Sequence, residues 1–205
     1  MTPEYWNKAT KHLTRVCPTM GGIIRQYKGE YLSAREDGFF TLVRAVVGQQ
    51  ISTKAADAIW NRLIVKVKPL TPDKLLRVRD TTLRSLGLSA QKVAYVKNVA
   101  KFFAENAVNT TYWAARSDEE VIKELTSIKG IGTWTAEMFL IFHLTRPDVF
   151  PVKDLGILKA VDMHYTGGKR LTNKEYIAFA ERWAPYRSVA SWYLWRALDP
   201  VPIAY

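Results

Sequence analysis

The 205-residue sequence is poor in several features, and each shortage excludes a class of protein. The single cysteine, Cys17, excludes a disulfide framework, a cysteine-rich zinc site and a cysteine-ligated iron–sulfur cluster. No apolar run approaches the roughly 18 residues of a membrane span. The N-terminal segment is charged throughout, unlike a signal peptide. We therefore expect a soluble intracellular protein, in a reducing compartment, with no membrane partner.

Acidic residues are scarce relative to basic ones. There are 19 Asp and Glu against 30 Lys and Arg, which gives a formal net charge of +11. This excess favours a polyanionic partner, of which nucleic acid is the first candidate. Hydrophobic residues make up 48% of the chain. That content suffices to form the core of one domain or of two small packed lobes.

Helical signals cover nearly the whole chain, without a recognisable strand hairpin, long linker, low-complexity tract or repeat. Capping boxes at Ser117–Glu120 and Thr172–Glu175 predict two helix starts. Thr2–Pro3 offers an N-cap and a first-turn proline for the first helix. The apolar stripe expected on that helix is Trp6, Ala9, Leu13 and Val16. The predicted fold class is all-α, with around ten short helices.

The stretch LTSIKGIGTWTAEMFL, from Leu125 to Leu140, contains two glycines two residues apart. Gly130 and Gly132 separate two amphipathic segments, 119–127 and 133–144, and so predict a helix–hairpin–helix. Such a turn leaves backbone N–H groups uncovered at the start of the second helix, where they can bind a phosphate. The spacing alone leaves open a plain helical hairpin with a glycine turn.

An aspartate follows this hairpin at a helix start. In RPDVFPVKDLGILKAV, from Arg146 to Val161, a proline-containing loop leads to Asp154, twenty residues after Trp134. The helix is predicted to include Ile157 and Leu158, so the carboxylate meets the positive helix end and stays ionised. As an isolated motif, it could also be an ordinary helix-start aspartate.

Together, the hairpin and the downstream aspartate closely resemble the helix–hairpin–helix (HhH-GPD) DNA glycosylase superfamily. Within it, the chain resembles the 3-methyladenine DNA glycosylase II (AlkA-type) branch. Further stretches match that branch in order, so that the resemblance spans approximately residues 39–198: VVGQQIS (46–52), GLSAQKVAYVKNVA (87–100) and AERWAPYRSVASWYLWRAL (180–198).

The resemblance implies a single domain over residues 1–205, built from two packed helical lobes with the active-site cleft between them. Lobe A would comprise approximately residues 1–37 and 146–205, and lobe B approximately residues 38–145, with the hairpin at 119–144. The N-terminal β-domain of the larger bacterial enzyme of this branch is expected to be missing.

The resemblance also assigns roles to individual residues. The family's catalytic aspartate falls on Asp154. The residues of the base pocket would be Trp134, Trp195 and Met138. The DNA-binding residues would be Lys129, Gly130, Gly132, Thr133 and Gln50, the last as the wedge that fills the gap left by the flipped base. Family hairpins often hold a monovalent cation such as Na⁺ or K⁺ through main-chain carbonyls, here those of Thr126, Ile128 and Ile131. No other cofactor is expected.

An alternative reading of the Gln-Gln motif is that Gln49 and Gln50 only end a helix and form local hydrogen bonds.

The activity implied is that of a monofunctional DNA glycosylase of base excision repair. It would flip and hydrolytically excise alkylated purines of the 3-methyladenine or 7-methylguanine type from damaged duplex DNA. It would act as a monomer, in the cytoplasm of a prokaryote or the nucleus of a eukaryote. Relatives with lyase activity carry a nucleophilic lysine where this chain has Trp134, so lyase activity is not expected.

Two alternatives to this activity remain from the sequence. One is a glycosylase of the same fold that removes other lesions, such as deaminated or ethenoadenine bases. The other is a non-catalytic DNA-binding module, since hairpins of this type also hold phosphates in proteins without glycosylase activity.

Overall fold

The computed structural model describes residues 2–35, 37–106, 108 and 110–198, and over these residues the chain is helical with no strand. The predicted all-α class is confirmed. None of these helices is long and apolar enough to cross a membrane. The α-helices are α1 (Trp6–Val16), α2 (Pro18–Gln26), α3 (Gly38–Gly48), α4 (Thr53–Lys66), α5 (Pro72–Arg77), α6 (Asp80–Ser85), α7 (Ala90–Glu105), α8 (Thr110–Ala114), α9 (Asp118–Ser127), α10 (Thr133–Phe142), α11 (Leu155–Tyr165), α12 (Asn173–Ala180) and α13 (Arg187–Leu198).

The described residues form two compact units. Residues 2–34 and 140–198 make up the first unit, which contains α1, α2 and α11 to α13. The described residues between 35 and 139 make up the second unit, which contains α3 to α9 and most of α10.

Helix α13 is central to the first unit, because α1, α2 and α11 all pack against it. Its Val189, Tyr193 and Leu194 are buried. Trp6 of α1 meets the edge of the Trp192 ring, with ring centroids 5.3 Å apart. This apolar packing fixes α13 in the unit, so that any polar side chain it carries has a defined position.

Helix α7 has the corresponding place in the second unit, where it packs against α3 and α5. Its buried side chains include Val93, Val96 and Ala100. Helix α3 also packs on α4 and buries Leu42 and Val46. The C-terminal end of α3 is thereby fixed close to α7.

Three expectations about the helices need correction. Helix α1 begins at Trp6, because the Pro3 carbonyl accepts a hydrogen bond from the Trp6 N–H and forms a turn there; Thr2 is therefore not its cap. Val16 is 41% exposed at the end of α1, although the other three residues of the predicted stripe are buried. The estimate of around ten helices was too low: α2, α6 and α8 were missed.

Both predicted capping boxes are present. Ser117 accepts from the Glu120 N–H while the Glu120 carboxylate accepts from the Ser117 N–H, and Thr172 and Glu175 do the same for α12. These bonds satisfy N–H groups that would otherwise lack partners at the helix starts.

Replacement of Ser117 by Ala should lower the free energy of unfolding by about 1 kcal/mol, because the cap of α9 is lost. Ser85→Ala is the control, since the Ser85 hydroxyl donates to the Thr82 carbonyl and binds no N–H group at a helix start. The measurement is the urea midpoint of each purified variant. Equal midpoints for the two variants would contradict the capping role.

Candidate active site

Asp154 is the N-cap of α11, as its predicted position at the helix start requires. Its Oδ1 accepts a hydrogen bond of 2.9 Å from the Ile157 N–H, and its carbonyl accepts from the Leu158 N–H at 3.1 Å. The residue is 6% exposed. Its carboxylate therefore lies largely out of water at the positive end of an eleven-residue helix.

Trp195 of α13 is a second donor to the same carboxylate. Its Nε1 lies 3.0 Å from Asp154 Oδ1, and the Trp195 side chain is almost fully buried. The indole ring stacks on Phe142, with ring centroids 5.6 Å apart. Trp195 was expected in the base pocket; in the structure it contacts and orients the predicted catalytic group.

The loop that leads to Asp154 is fastened to the N-terminal end of α13. Arg187 donates from Nε to Asp148 Oδ1 at 2.9 Å and from a terminal nitrogen to Asp148 Oδ2 at 2.8 Å. The Ser188 N–H donates to the Pro147 carbonyl, and the Val149 N–H donates to the Ser188 hydroxyl. These hydrogen bonds raise the pKa of Arg187 above its ordinary value, because the Asp148 carboxylate favours the charged guanidinium.

The predicted hairpin is present in the second unit as α9, a turn and α10, although α10 ends at Phe142 rather than at residue 144. Gly130 has a φ of 110°, and a Cβ there would lie 2.3 Å from Cγ of Tyr95. Gly132 differs, since its φ is not positive and a Cβ would meet nothing within 4 Å. The fold therefore requires glycine at 130 but not at 132.

Two side chains, one from the residue after α3 and one from α7, donate hydrogen bonds to the carbonyls of this turn. Asn98 Nδ2 donates to the Lys129 carbonyl, and Gln49 Nε2 donates to the Gly130 carbonyl, each at 3.0 Å. The Ile128 carbonyl accepts from the Ile131 N–H at 2.9 Å. Both isoleucines are buried, so they anchor the turn in the second unit.

The Gln-Gln motif forms the turn between α3 and α4. Gln49 is the C-cap of α3, and its side-chain bond reaches across 81 positions, so the alternative of purely local bonding is wrong for Gln49. Gln50 is exposed and has a φ of 57°, a conformation rare for a non-glycine residue. Lys92 Nζ donates to the Val47 carbonyl at 2.7 Å, and burial lowers the pKa of this ammonium.

The remaining predicted site residues lie on or beside α10. Trp134 and Met138 are four positions apart and share one helix face; Trp134 is half-buried and Met138 is 4% exposed. Thr133 is the first residue of α10, and Lys129 is exposed in the turn. Thr126 lies in the last turn of α9, where its hydroxyl donates to the Ile122 carbonyl.

The structure thus joins Asp154 to Trp195 in the first unit, and the Gln-Gln turn to the hairpin in the second. Within the described part of the chain, no three or more His, Cys, Asp or Glu side chains are grouped so that they could hold a metal ion.

Comparison with known proteins identifies the class to which this arrangement belongs. The model of the HhH-GPD superfamily of base excision DNA repair proteins matches residues 43–185, and the chain belongs to this family. Relatives named DNA-3-methyladenine glycosylase, including glycosylase 2 of Escherichia coli, place it in the 3-methyladenine DNA glycosylase II (AlkA-type) branch. The resemblance drawn from the sequence is therefore confirmed.

Individual relatives are similar over most of their length. DNA-3-methyladenine glycosylase 1 of Schizosaccharomyces pombe is 35% identical over 178 residues, which cover 85% of this chain and 78% of the relative. The crystal structure of a DNA-3-methyladenine glycosidase from Bacillus halodurans has a TM-score of 0.82 and 35% identity, covering 93% of this chain and 89% of that one. A Schizosaccharomyces pombe 3-methyladenine DNA glycosylase in complex with abasic DNA has a TM-score of 0.81 and 31% identity, covering 97% of this chain and 100% of that one.

The two hairpin glycines should respond differently to the same substitution. We expect Gly130→Ser to cost about 3 kcal/mol or more, because it combines an unfavourable φ with overlap against Tyr95. Gly132→Ser should change stability by less than about 0.5 kcal/mol, because space is open and serine is a good helix N-cap. Thermal and urea unfolding of both variants test this contrast, and similar losses in the two would contradict it.

Proposed function

We propose that the protein is a monofunctional DNA glycosylase that hydrolyses the N-glycosidic bond of alkylated purines, of the 3-methyladenine and 7-methylguanine type, in duplex DNA. The observation that carries this proposal is the buried Asp154 carboxylate, whose Oδ1 accepts from two N–H donors at a helix start. Membership of a base excision repair family and relatives named for 3-methyladenine support the choice of reaction and substrate.

The chemistry of an alkylated purine suits a carboxylate. Alkylation at N3 or N7 gives the base a positive charge, which weakens the glycosidic bond and reduces the need for a general acid. The base leaves with the electron pair of that bond, and the sugar develops oxocarbenium character. Asp154 would stabilise this charge and orient or deprotonate the attacking water, whose hydroxyl group remains on the sugar.

The carboxylate of Asp154 is oriented before any substrate binds. Ile157 N–H and Trp195 Nε1 both fix Oδ1, and Trp195 is itself held by its stacking on Phe142. A group that is already oriented does not have to be reordered as charge develops in the transition state. Trp195 would thus act beside Asp154 through its N–H as well as its ring.

An enzyme that acts on a base within a duplex must first extrude it. Trp134 and Met138, on one face of α10, are the side chains that would contact the extruded base. A tryptophan face attracts a cation by about 0.5–2 kcal/mol, which would favour an alkylated purine over a neutral one. Gln50, exposed at the turn after α3, would fill the gap left in the duplex.

The hairpin would hold the DNA backbone. The N–H groups at the start of α10, at Gly132 and Thr133, lie at the positive end of that helix and suit a phosphate. The lack of a side chain at Gly132 would let the backbone of DNA approach closely, and the exposed Lys129 adds positive charge. Gly130 would contribute by shaping the turn.

A monovalent cation, Na⁺ or K⁺, is also proposed at the hairpin. Its ligands would be the main-chain carbonyls of Thr126, Ile128 and Ile131. Thr126 and Ile128 are at the C-terminal end of α9, whose partial negative charge suits a cation. The ion would add positive charge beside the bound phosphate.

Asp154→Asn should lose at least about 100-fold in the rate of base release while duplex binding persists. Asparagine retains a side-chain oxygen that can accept from Ile157 and Trp195, so the change removes chiefly the charge. The measurement is the single-turnover release of 3-methyladenine and 7-methylguanine from methylated DNA.

Asp37→Asn is the matched control for this experiment. Asp37 caps α3 by accepting from the Phe40 N–H, so the substitution makes the same change in charge at another helix start. This variant should release bases at the wild-type rate. Wild-type release by Asp154→Asn would refute the catalytic role.

The absence of lyase activity is a separate proposal, supported by Trp134 at the position where lyase relatives carry a lysine. With a labelled duplex containing one methylated purine, strand breaks should appear only after alkaline treatment. No covalent complex should be trapped by borohydride. Strand breaks before alkali, or trapping, would show Schiff-base chemistry and contradict this proposal.

A further inference from the structure

Gln50 has a backbone conformation that is unfavourable for a residue other than glycine. Its φ of 57° lies in the left-handed region, where an L-residue other than glycine is disfavoured. Its side chain is exposed, so burial of that side chain does not offset the cost. Such strain persists when neighbouring contacts fix the backbone, and it is concentrated at functional sites.

Two side-chain hydrogen bonds fix the chain just before Gln50. Gln49 Nε2 donates to the Gly130 carbonyl at 3.0 Å, and Lys92 Nζ donates to the Val47 carbonyl at 2.7 Å. The bond from Gln49 therefore connects the residue next to Gln50 directly to the turn of the hairpin. All these residues belong to the second unit.

The hairpin end of this connection is itself immobilised. Gly130, at a φ of 110°, packs against the Tyr95 ring of α7, and the neighbouring Lys129 carbonyl accepts from Asn98. Because both Tyr95 and Asn98 belong to α7, the hairpin turn is held from that helix independently of Gln49. The hairpin turn is thus fixed in position, and the hydrogen bond from Gln49 to this turn can hold the strained backbone of Gln50.

We propose that Gln49 is a positioning residue that joins the Gln50 turn to the hairpin, so that the wedge side chain and the phosphate-holding turn bind DNA as one preset element. This inference rests on the proposed function, in which Gln50 enters the duplex gap and the hairpin holds the backbone.

Loss of the hydrogen bond from Gln49 should allow the strained backbone of Gln50 to relax toward negative φ. This relaxation changes the direction of the Gln50 side chain. The binding-competent conformation then becomes a minor state, and the apparent affinity falls by the fraction in which it is populated. The hairpin should keep its place, because Tyr95 and Asn98 still hold it.

A double-mutant cycle tests this coupling. The variants are Gln49→Leu, Gln50→Ala and the two combined, and the measurement is the dissociation constant for a duplex with a tetrahydrofuran abasic-site analogue. An intact duplex of the same sequence gives the reference affinity. Each single substitution should raise the dissociation constant for the abasic duplex by about tenfold relative to that for the intact duplex. The double variant should bind no more weakly than the weaker-binding of the two single variants.

Asn98→Leu is the matched control. It removes a side-chain donor to the same hairpin, at the Lys129 carbonyl, without touching the Gln-Gln turn. Because the Tyr95 ring still packs on Gly130 in this variant, the hairpin end of the Gln49 bond stays in place, and the effect of Asn98→Leu should multiply with that of Gln50→Ala. Gln49→Asn serves as a second variant if Gln49→Leu does not fold, because its amide is one methylene too short to reach Gly130.

Three results would overturn the coupling: unchanged affinity in Gln49→Leu, unchanged affinity in Gln50→Ala, or independent multiplication of their effects. None of them depends on catalysis, since the abasic analogue has no base to release. Failure of the proposed function is measured separately, as absence of purine release by the wild-type protein.

Discussion

The Asp154 carboxylate is only 6% exposed, so hydrogen bonds and positive charge from the protein must replace the water that it lost on burial. Much of the first unit contributes to these interactions. The Ile157 N–H and the Trp195 indole N–H supply two hydrogen bonds to Oδ1, and the start of α11 supplies a positive potential. The first contact is made within the local chain. The second requires that α13 be held at a fixed distance from the start of α11.

Helix α13 meets this requirement by contacting the loop before Asp154 and the aspartate itself. Near its first residue, Arg187 and Ser188 bind Asp148, Pro147 and Val149. Eight residues later, about 12 Å along an α-helix, Trp195 binds Asp154. The loop therefore has its entry and its end attached to one rigid helix. This explains how a side chain far from Asp154 in the sequence helps to orient its carboxylate.

Local features of the site could be predicted from the sequence, because their causes lie within a few residues. A capping box, an N-cap aspartate and a hairpin between two amphipathic segments each depend on contacts within one turn. Helix α2, by contrast, was not predicted. It contains Gly21, where a Cβ would lie 3.0 Å from Thr14 Cγ2, so this glycine serves close packing against α1, a contact that the local sequence does not indicate.

The contacts that complete the site were beyond sequence reasoning. The bond from Gln49 to Gly130 joins positions 81 apart, and that from Arg187 to Asp148 joins positions 39 apart. Residue type gives no sign of such pairing: a glutamine after a helix is usually solvated. Trp195 illustrates the same limit, since the family resemblance assigned it to the base pocket, while its N–H contact depends on the packing of α13 against α11.

At the hairpin glycines and at Gln50, residue types that the fold requires can be distinguished from residue types that function explains. Gly130 is explained by the fold alone, through its φ and the Tyr95 ring. Gly132 has no such explanation, and at Gln50 the fold carries a strained residue where glycine would be less costly. A residue that lowers stability and is not explained by the fold is expected at positions where function determines the residue type. Gly132 and Gln50 are both positions assigned to DNA contact by the family resemblance, and the connection between their turns passes through the Gln49 side chain and the Gly130 carbonyl.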